Sequence, residues 1–140
     1  MQRLTFVVPG PPVAWHRPQQ TSRTGRIDGR GVRTYKHSDD RRYQKAVSNA
    51  AIAALRKWRS ENDQPWDATG EWALGFSLYV HDLRRRDLDR LVNNIMDGLI
   101  GTVYDDDSQV CGFLPSSKRL DRKQPRCIIT VHRIEGHLAE

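Results

Sequence analysis

From Trp72 to Val80 the large apolar residues fall on every second position. Trp72, Leu74, Phe76, Leu78 and Val80 alternate with Ala73, Gly75, Ser77 and Tyr79. That is the period of a β-strand, and it puts five bulky side chains on one face. Such a strand must be covered on that face by something else, and helical patterns lie on both sides of it in the chain. Ser38 suits an N-cap for a helix from Asp39 to about Arg59, where Tyr43, Val47, Ala50, Ala51, Ala54, Leu55 and Trp58 recur at helical spacing. Asp39 and Asp40 suit the positive end of its dipole. A second helix, with Asp89 as its N-cap, carries Leu91, Ile95, Met96 and Leu99 and ends near Gly101.

Further strands complete the pattern. Leu4 to Val8 reads as a first strand, stopped by Pro9-Gly10-Pro11-Pro12. Two more run roughly from Gln109 to Lys118 and from Arg126 to Ile134, with a basic turn between them from Arg119 to Gln124. Glu61 to Gly70 reads as a polar turn region. The order βαβαββ predicts an α/β (α+β) fold with two helices packed on a mixed sheet. At 140 residues the chain is expected to form a single domain, 1–140, with a basic mobile loop at about 16–37 that has no apolar period.

Charge is distributed unevenly around a net +6. Residues 1–59 hold 13 Lys/Arg against 3 Asp/Glu, and residues 82–107 hold 4 against 7. Residues 108–140 return to 6 against 3. An acidic centre between two basic arms suits a polyanion that is gripped on either side of a charged site. No run is long enough to span a membrane, and the N-terminus lacks the layout of a signal peptide. Cys111 and Cys127 make no disulfide framework, so a reducing, cytoplasmic setting is expected. Cys127, His132 and His137 lie along or beyond a strand and read as structural rather than as zinc ligands.

The acidic centre has two halves. Arg84-Arg85-Arg86-Asp87-Leu88-Asp89 follows the end of the Trp72–Val80 strand, and Asp105-Asp106-Asp107 follows the second helix. Clustered carboxylates repel one another and stay ionised when a cation sits between them. In extended chain Asp87 and Asp89 share a side. With Asp107 from the other segment, and Asp106 as a nearby candidate, they suit a hard divalent ion such as Mg²⁺ with Mn²⁺ as a substitute. Each half also has a plainer reading: Asp89 as a helix cap, Asp105–Asp107 as a solvated turn, Arg84–Arg86 as an exposed loop. The plainer readings do not say why an acidic pair sits at a strand end beside three arginines. Taken together, the residues point to metal-dependent cleavage of a phosphodiester by an activated water. Arg84, Arg85, Arg86 and Arg90 would clamp the strand, while Lys118, Arg119, Arg122, Lys123 and the stretch from Arg17 to Arg42 would hold flanking backbone. Such contacts position nucleic acid without reading its sequence. Trp15 or Tyr35 suits either stacking on an opened base or a place in the core.

Asp87-Leu88-Asp89, then a short apolar helix, then Tyr104-Asp105-Asp106-Asp107-Ser108-Gln109-Val110 resembles the signature of the RusA family of Holliday-junction resolvases. Pro9-Gly10-Pro11-Pro12 with Trp15 and Arg17 is similar to the proline-rich start of its members. The resemblance covers most of the chain. It implies a RusA-like fold and a homodimeric, Mg²⁺-dependent endodeoxyribonuclease that cuts four-way DNA junctions. Asp87, Asp89 and Asp107 would be the metal-binding aspartates, and neither a membrane nor a small-molecule cofactor is involved. The chain departs from the pattern at Arg90, where the family often has Asn, and at Asn93, where it often has a catalytic Lys. Positions 90 and 93 share a helix face, so Arg90 is the candidate to supply the missing positive charge. Arginine cannot donate a proton near neutral pH. The competing reading is a structure-selective DNA-binding protein of the same fold with a weak or inactive metal site. A nuclease for flaps, forks or RNA is a further alternative.

Overall fold

The computed structural model describes residues 2–14 and 38–135, together with the backbone of 19–21 and 33–35. Its main sheet has five strands: β1 (Arg3–Pro9), β4 (Trp72–Val80), β5 (Val110–Phe113), β6 (Ser117–Leu120) and β7 (Arg126–Arg133). β7 lies between β1 and β4 and is antiparallel to both. The other edge of β4 is shared by two parallel strands, β5 beside its start and β6 beside its end. The sheet is therefore mixed. Among the described residues, two helices, α1 (Ser38–Asn62) and α2 (Leu88–Leu99), complete the α+β domain.

Alternation dictates which face of the sheet is covered. Leu4, Phe6 and Val8 of β1, the even residues of β4, and Cys127, Ile129 and Val131 of β7 are all buried. They join one core with Tyr43, Val47, Ala51 and Trp58 of α1 and Leu91, Ile95 and Leu99 of α2. Each large side chain removed from water in this way contributes about 1.5–3 kcal/mol. Gly98 sets the helix approach, since a Cβ there would lie 2.9 Å from the Cβ of Val47. The segment read as a polar turn also supplies the core. Trp66 stacks on Trp72 at 5.1 Å and meets Trp58 edge-on at 5.1 Å, while its indole N–H donates to the Val103 carbonyl.

Four boundaries differ from the sequence reading. The strand expected over 109–118 is two strands broken at Leu114-Pro115-Ser116, where Pro115 has no N–H for a ladder. Ser116 repairs the break: its hydroxyl accepts the Phe76 N–H at 3.0 Å. The basic turn is shorter than expected because Arg119 and Leu120 belong to β6. Helix α2 starts at Leu88, so Asp87 and not Asp89 is its N-cap. Part of the expected 16–37 loop is paired backbone, with β2 (Gln19–Thr21) antiparallel to β3 (Arg33–Tyr35). Trp15, Arg17, His137, the side chain of Tyr35 and the rest of that loop lie outside the described residues. Among the described residues no helix is long and apolar enough to cross a membrane.

Candidate nucleic-acid and carboxylate site

The C-terminal end of β4 opens into a loop that is built around Asp82. Its carboxylate accepts the Arg84 N–H at 3.0 Å and the Arg86 guanidinium at 2.6 Å, and His81 lies 3.2 Å away. The Arg86 hydrogen bond, followed by the Arg84 N–H, holds the Asp82 carboxyl down at about 2. Arg86 also donates to the Arg84 carbonyl, and its side chain is only 11 % exposed. Lys118 reaches across from β6 and donates to the Arg86 carbonyl. Arg86, expected to clamp the strand, and Lys118, expected to hold flanking backbone, therefore tie this loop into shape.

The other arginines remain outward. Arg84 is exposed, and the Arg85 side chain is 94 % exposed. Asp87 stands between two guanidinium groups, with Arg85 Nε at 3.8 Å and Arg90 Nε at 4.0 Å. As N-cap it contributes its carbonyl, which accepts the N–H groups of Arg90 and Leu91 at 3.2 Å, while its side chain makes no cap hydrogen bond. The helix start thus does not use the carboxylate, which stays half-exposed between the two arginines. Asp89 is exposed in the first turn of α2. The extended-chain spacing does not apply to this pair, because the first residue is extended and the second is helical.

The neighbouring turn is also basic. Asp121 N–H donates to the Val80 carbonyl at 2.8 Å, which sets the turn beside the end of β4. Asp121 accepts from the backbone of Lys123 and Gln124 and from Arg126, so that Arg122 and Lys123 project from a rigid turn. Arg119 is exposed on β6. These cations and the arginine loop form one positive rim.

Asp105–Asp107 belong to the other end of β4. The Gln109 side chain accepts the N–H groups of Asp105 and Asp106 at 2.8 and 2.9 Å. It donates in turn to the carbonyls of Ala68 and Gly70, just ahead of Trp72. Asp106 accepts from Ser108 and completes a capping box with Gln109, and the Ser108 bonds lower its carboxyl below the usual range. Asp107 is exposed at the start of the single 3₁₀ turn Asp107–Gln109. Burial, then the negative charges of Asp107, Asp97 and Asp106, push the Tyr104 hydroxyl upward, so it stays a donor to the Met96 carbonyl at 2.8 Å. Asp107 therefore sits near the last turn of α2.

Among the described residues, no group of three or more His, Cys, Asp or Glu side chains is placed to hold a metal ion. Within one chain, Asp87, Asp89 and Asp107 do not come together as such a group.

The family model for the endodeoxyribonuclease RusA matches residues 9–132. The chain belongs to the RusA family. No curated protein sequence matches it. The matched span includes both acidic segments and the basic turn, so the RusA assignment rests on the region that carries the charge pattern. RusA membership makes this a protein of an endodeoxyribonuclease family with a fold to match.

Two structural residues of the site carried little sequence signal. Asn94 is fully buried, accepts from Gln44 at 2.8 Å and donates to the Val13 carbonyl at 2.9 Å. It ties the proline-rich segment that leads to Arg17 onto the helix that carries Asp89. Asp82 is legible only as an acid four residues before an arginine, a spacing that also occurs on any solvated surface.

Proposed function

We propose that this protein is a structure-selective endodeoxyribonuclease that resolves four-way DNA junctions by paired, symmetric phosphodiester hydrolysis in recombination and repair. The observation that carries this reading is the exposed Asp87–Asp89 pair at the N-terminus of α2, flanked by Arg84, Arg85 and Arg90 inside the family-matched span. An arginine fork and the open N–H groups of a helix start both favour a phosphate. Exposed carboxylates beside that phosphate accept hydrogen bonds from the attacking water and orient it. Arg90, adjacent to Asp89 and 4.0 Å from the Asp87 carboxylate, balances charge that builds on the phosphate oxygens. Arg119, Arg122 and Lys123 hold flanking backbone, which adds affinity without sequence preference.

Asp87, Asp89 and Asp107 are proposed as the essential carboxylates, and dependence on Mg²⁺, with Mn²⁺ as substitute, is part of the proposal. So is a homodimer, because a two-fold pair of subunits supplies two symmetric cuts directly. A cytoplasmic location is proposed with it.

The test is a labelled synthetic junction with Mg²⁺, Mn²⁺ or chelator, using the parent and Asp87→Asn. Paired nicks by the parent, lost in the variant with junction binding kept, are expected. Equal cutting by both would refute the assignment of Asp87. Asn93 and Arg90, in place of the residues the family often has, favour a second reading as a junction-binding protein with a weak site. Junction gel shifts with no cleavage in either metal would decide for it. Parallel flap and stem-loop RNA substrates separate junction resolution from other nuclease activity.

A further inference from the structure

A groove of about 370 Å³ opens beside Asp89. Its walls come from Leu88 and Val92 of α2 and from Phe113 at the end of β5, with Phe76 at its base. Phe113 is 63 % exposed and meets Phe76 at 6.5 Å between ring centroids, tilted by 49°. An aromatic ring at that exposure gains little from the core, so its apolar surface is open to something else. The rim is polar, with Asp89 and Asn93 facing the same groove.

The arrangement follows from helical spacing. Leu88 and Val92 are four apart and make an apolar row; Asp89 and Asn93 are four apart and make a polar row beside it. A planar nucleobase has this same division, with two apolar faces and an edge of donors and acceptors. Its face fits Phe113 and the Leu88–Val92 row, and the Asn93 amide offers both a donor and an acceptor to its edge. The surrounding charge favours the same ligand, because Arg84, Arg85 and Lys118 border the loop that leads into α2. A strand whose phosphate lies at Asp87–Asp89 brings the adjoining base to this groove.

We propose that the groove is a nucleobase site, which receives one unstacked base of the DNA strand next to the phosphate at Asp89. The proposal rests on the junction-nuclease reading and deepens it. Unstacking a base costs least where pairing is already interrupted. A nuclease that must seat a base before the phosphate is aligned therefore acts at branch points and spares continuous duplex. Asn93, in place of a longer cation, leaves the groove mouth open and provides the edge contact.

The experiment uses four-way junctions and single-stranded oligonucleotides carrying 5-iododeoxyuridine, bound in chelator and irradiated. With the halogenated base at the branch point, or anywhere in the single strand, a cross-link to Phe113 is expected; with the base deep in a duplex arm, none is. Phe113→Ala is expected to remove the cross-link and to lower branched-DNA cleavage about tenfold, the scale of one lost base–aromatic stack. An abasic nucleotide at the branch point is expected to slow the parent equally and to add nothing to Phe113→Ala. Unchanged thermal melting of the variant shows that the effect is local. A bound junction with no cross-link at Phe113 overturns the proposal, as does conversion of a parent dimer to a monomer by Phe113→Ala, which would make the groove a self-interface. If the single strand cross-links at Phe113 but no junction is cut, the base site stands and the resolvase reading falls. If junctions are cut without the cross-link, the reverse holds.

Discussion

The two acidic segments carry the same residue type in similar number, yet the fold treats them in opposite ways. At the end of β4 the internal hydrogen bonds converge on Asp82, which is locked by Arg86 and the Arg84 N–H. Asp87 and Asp89 are left exposed to outside partners. At the start of β4 the hydrogen bonds converge on Asp106 and Gln109, which build a closed turn from the acidic run itself. A carboxylate that satisfies backbone N–H groups is part of the scaffold, and one that satisfies none is free for a ligand. The difference lies in the partners and not in the residue.

The comparison can be broken most decisively by exchanging the outcomes of two substitutions. Asp87→Asn should lower junction cleavage by about a hundredfold or more, with melting within a few degrees of the parent. Asp106→Ala should instead cost about 1 kcal/mol of stability through the lost cap, with cleavage changed only a few-fold. Gel-based cleavage and denaturant unfolding of both variants measure this directly. If Asp106→Ala abolished cleavage at unchanged stability, Asp106 would act beside the proposed Asp107 in the reaction and not as a cap.

A smaller effect is expected at the buried amide pair. Asn94→Ala removes the acceptor of the Gln44 amide N–H and the donor to the Val13 carbonyl, at a cost of about 1–3 kcal/mol. A chemical denaturation curve gives that value, and loss of stability below a few tenths would mean that the N-terminal segment is not tied to α2. The arginines sharpen the same division. Arg86→Ala should destabilise the loop, because its guanidinium is buried against Asp82 and the Arg84 carbonyl. Arg85→Ala should leave melting unchanged and reduce the slope of log K against log salt for junction binding by about 1.

The smallest effect is a pH dependence. The Asp82 carboxyl is lowered to about 2 in the folded chain from an ordinary value of 3.8. Its contribution is therefore complete above about pH 4 and is lost as the pH falls through 2. The stability difference between the parent and Asp82→Asn should shrink between pH 4 and pH 2, as read by urea unfolding at several pH values. A constant difference would mean that Arg86 holds the loop without needing the ionised acid.

Much of this was legible before any coordinates. The alternation in Trp72–Val80 and the apolar spacing of both helices correspond to β4, α1 and α2, because periodic burial is written residue by residue. The family resemblance also agrees with the match over residues 9–132. Three things were not legible. Trp66 looked like part of a polar turn because its neighbours are polar, while its burial depends on Trp58 and Trp72 from distant segments. Arg86 looked equivalent to Arg85, and Lys118 to Arg119, and only the acceptors of Arg86 and Lys118 across the loop distinguish them. Asn94 and Asn93 are adjacent in sequence, but one is fully buried and the other lines an open groove.

By itself, then, the sequence determined the order of the elements, the buried face of each, and the presence of two acidic segments within a basic chain. Periodicity and composition are local quantities, and they do not depend on how the elements pack. The tertiary structure decided which carboxylates and arginines are scaffold and which face outward. A hydrogen bond needs its donor and acceptor within about 3 Å, and in this molecule those partners are contributed by segments from 2 to more than 80 residues apart.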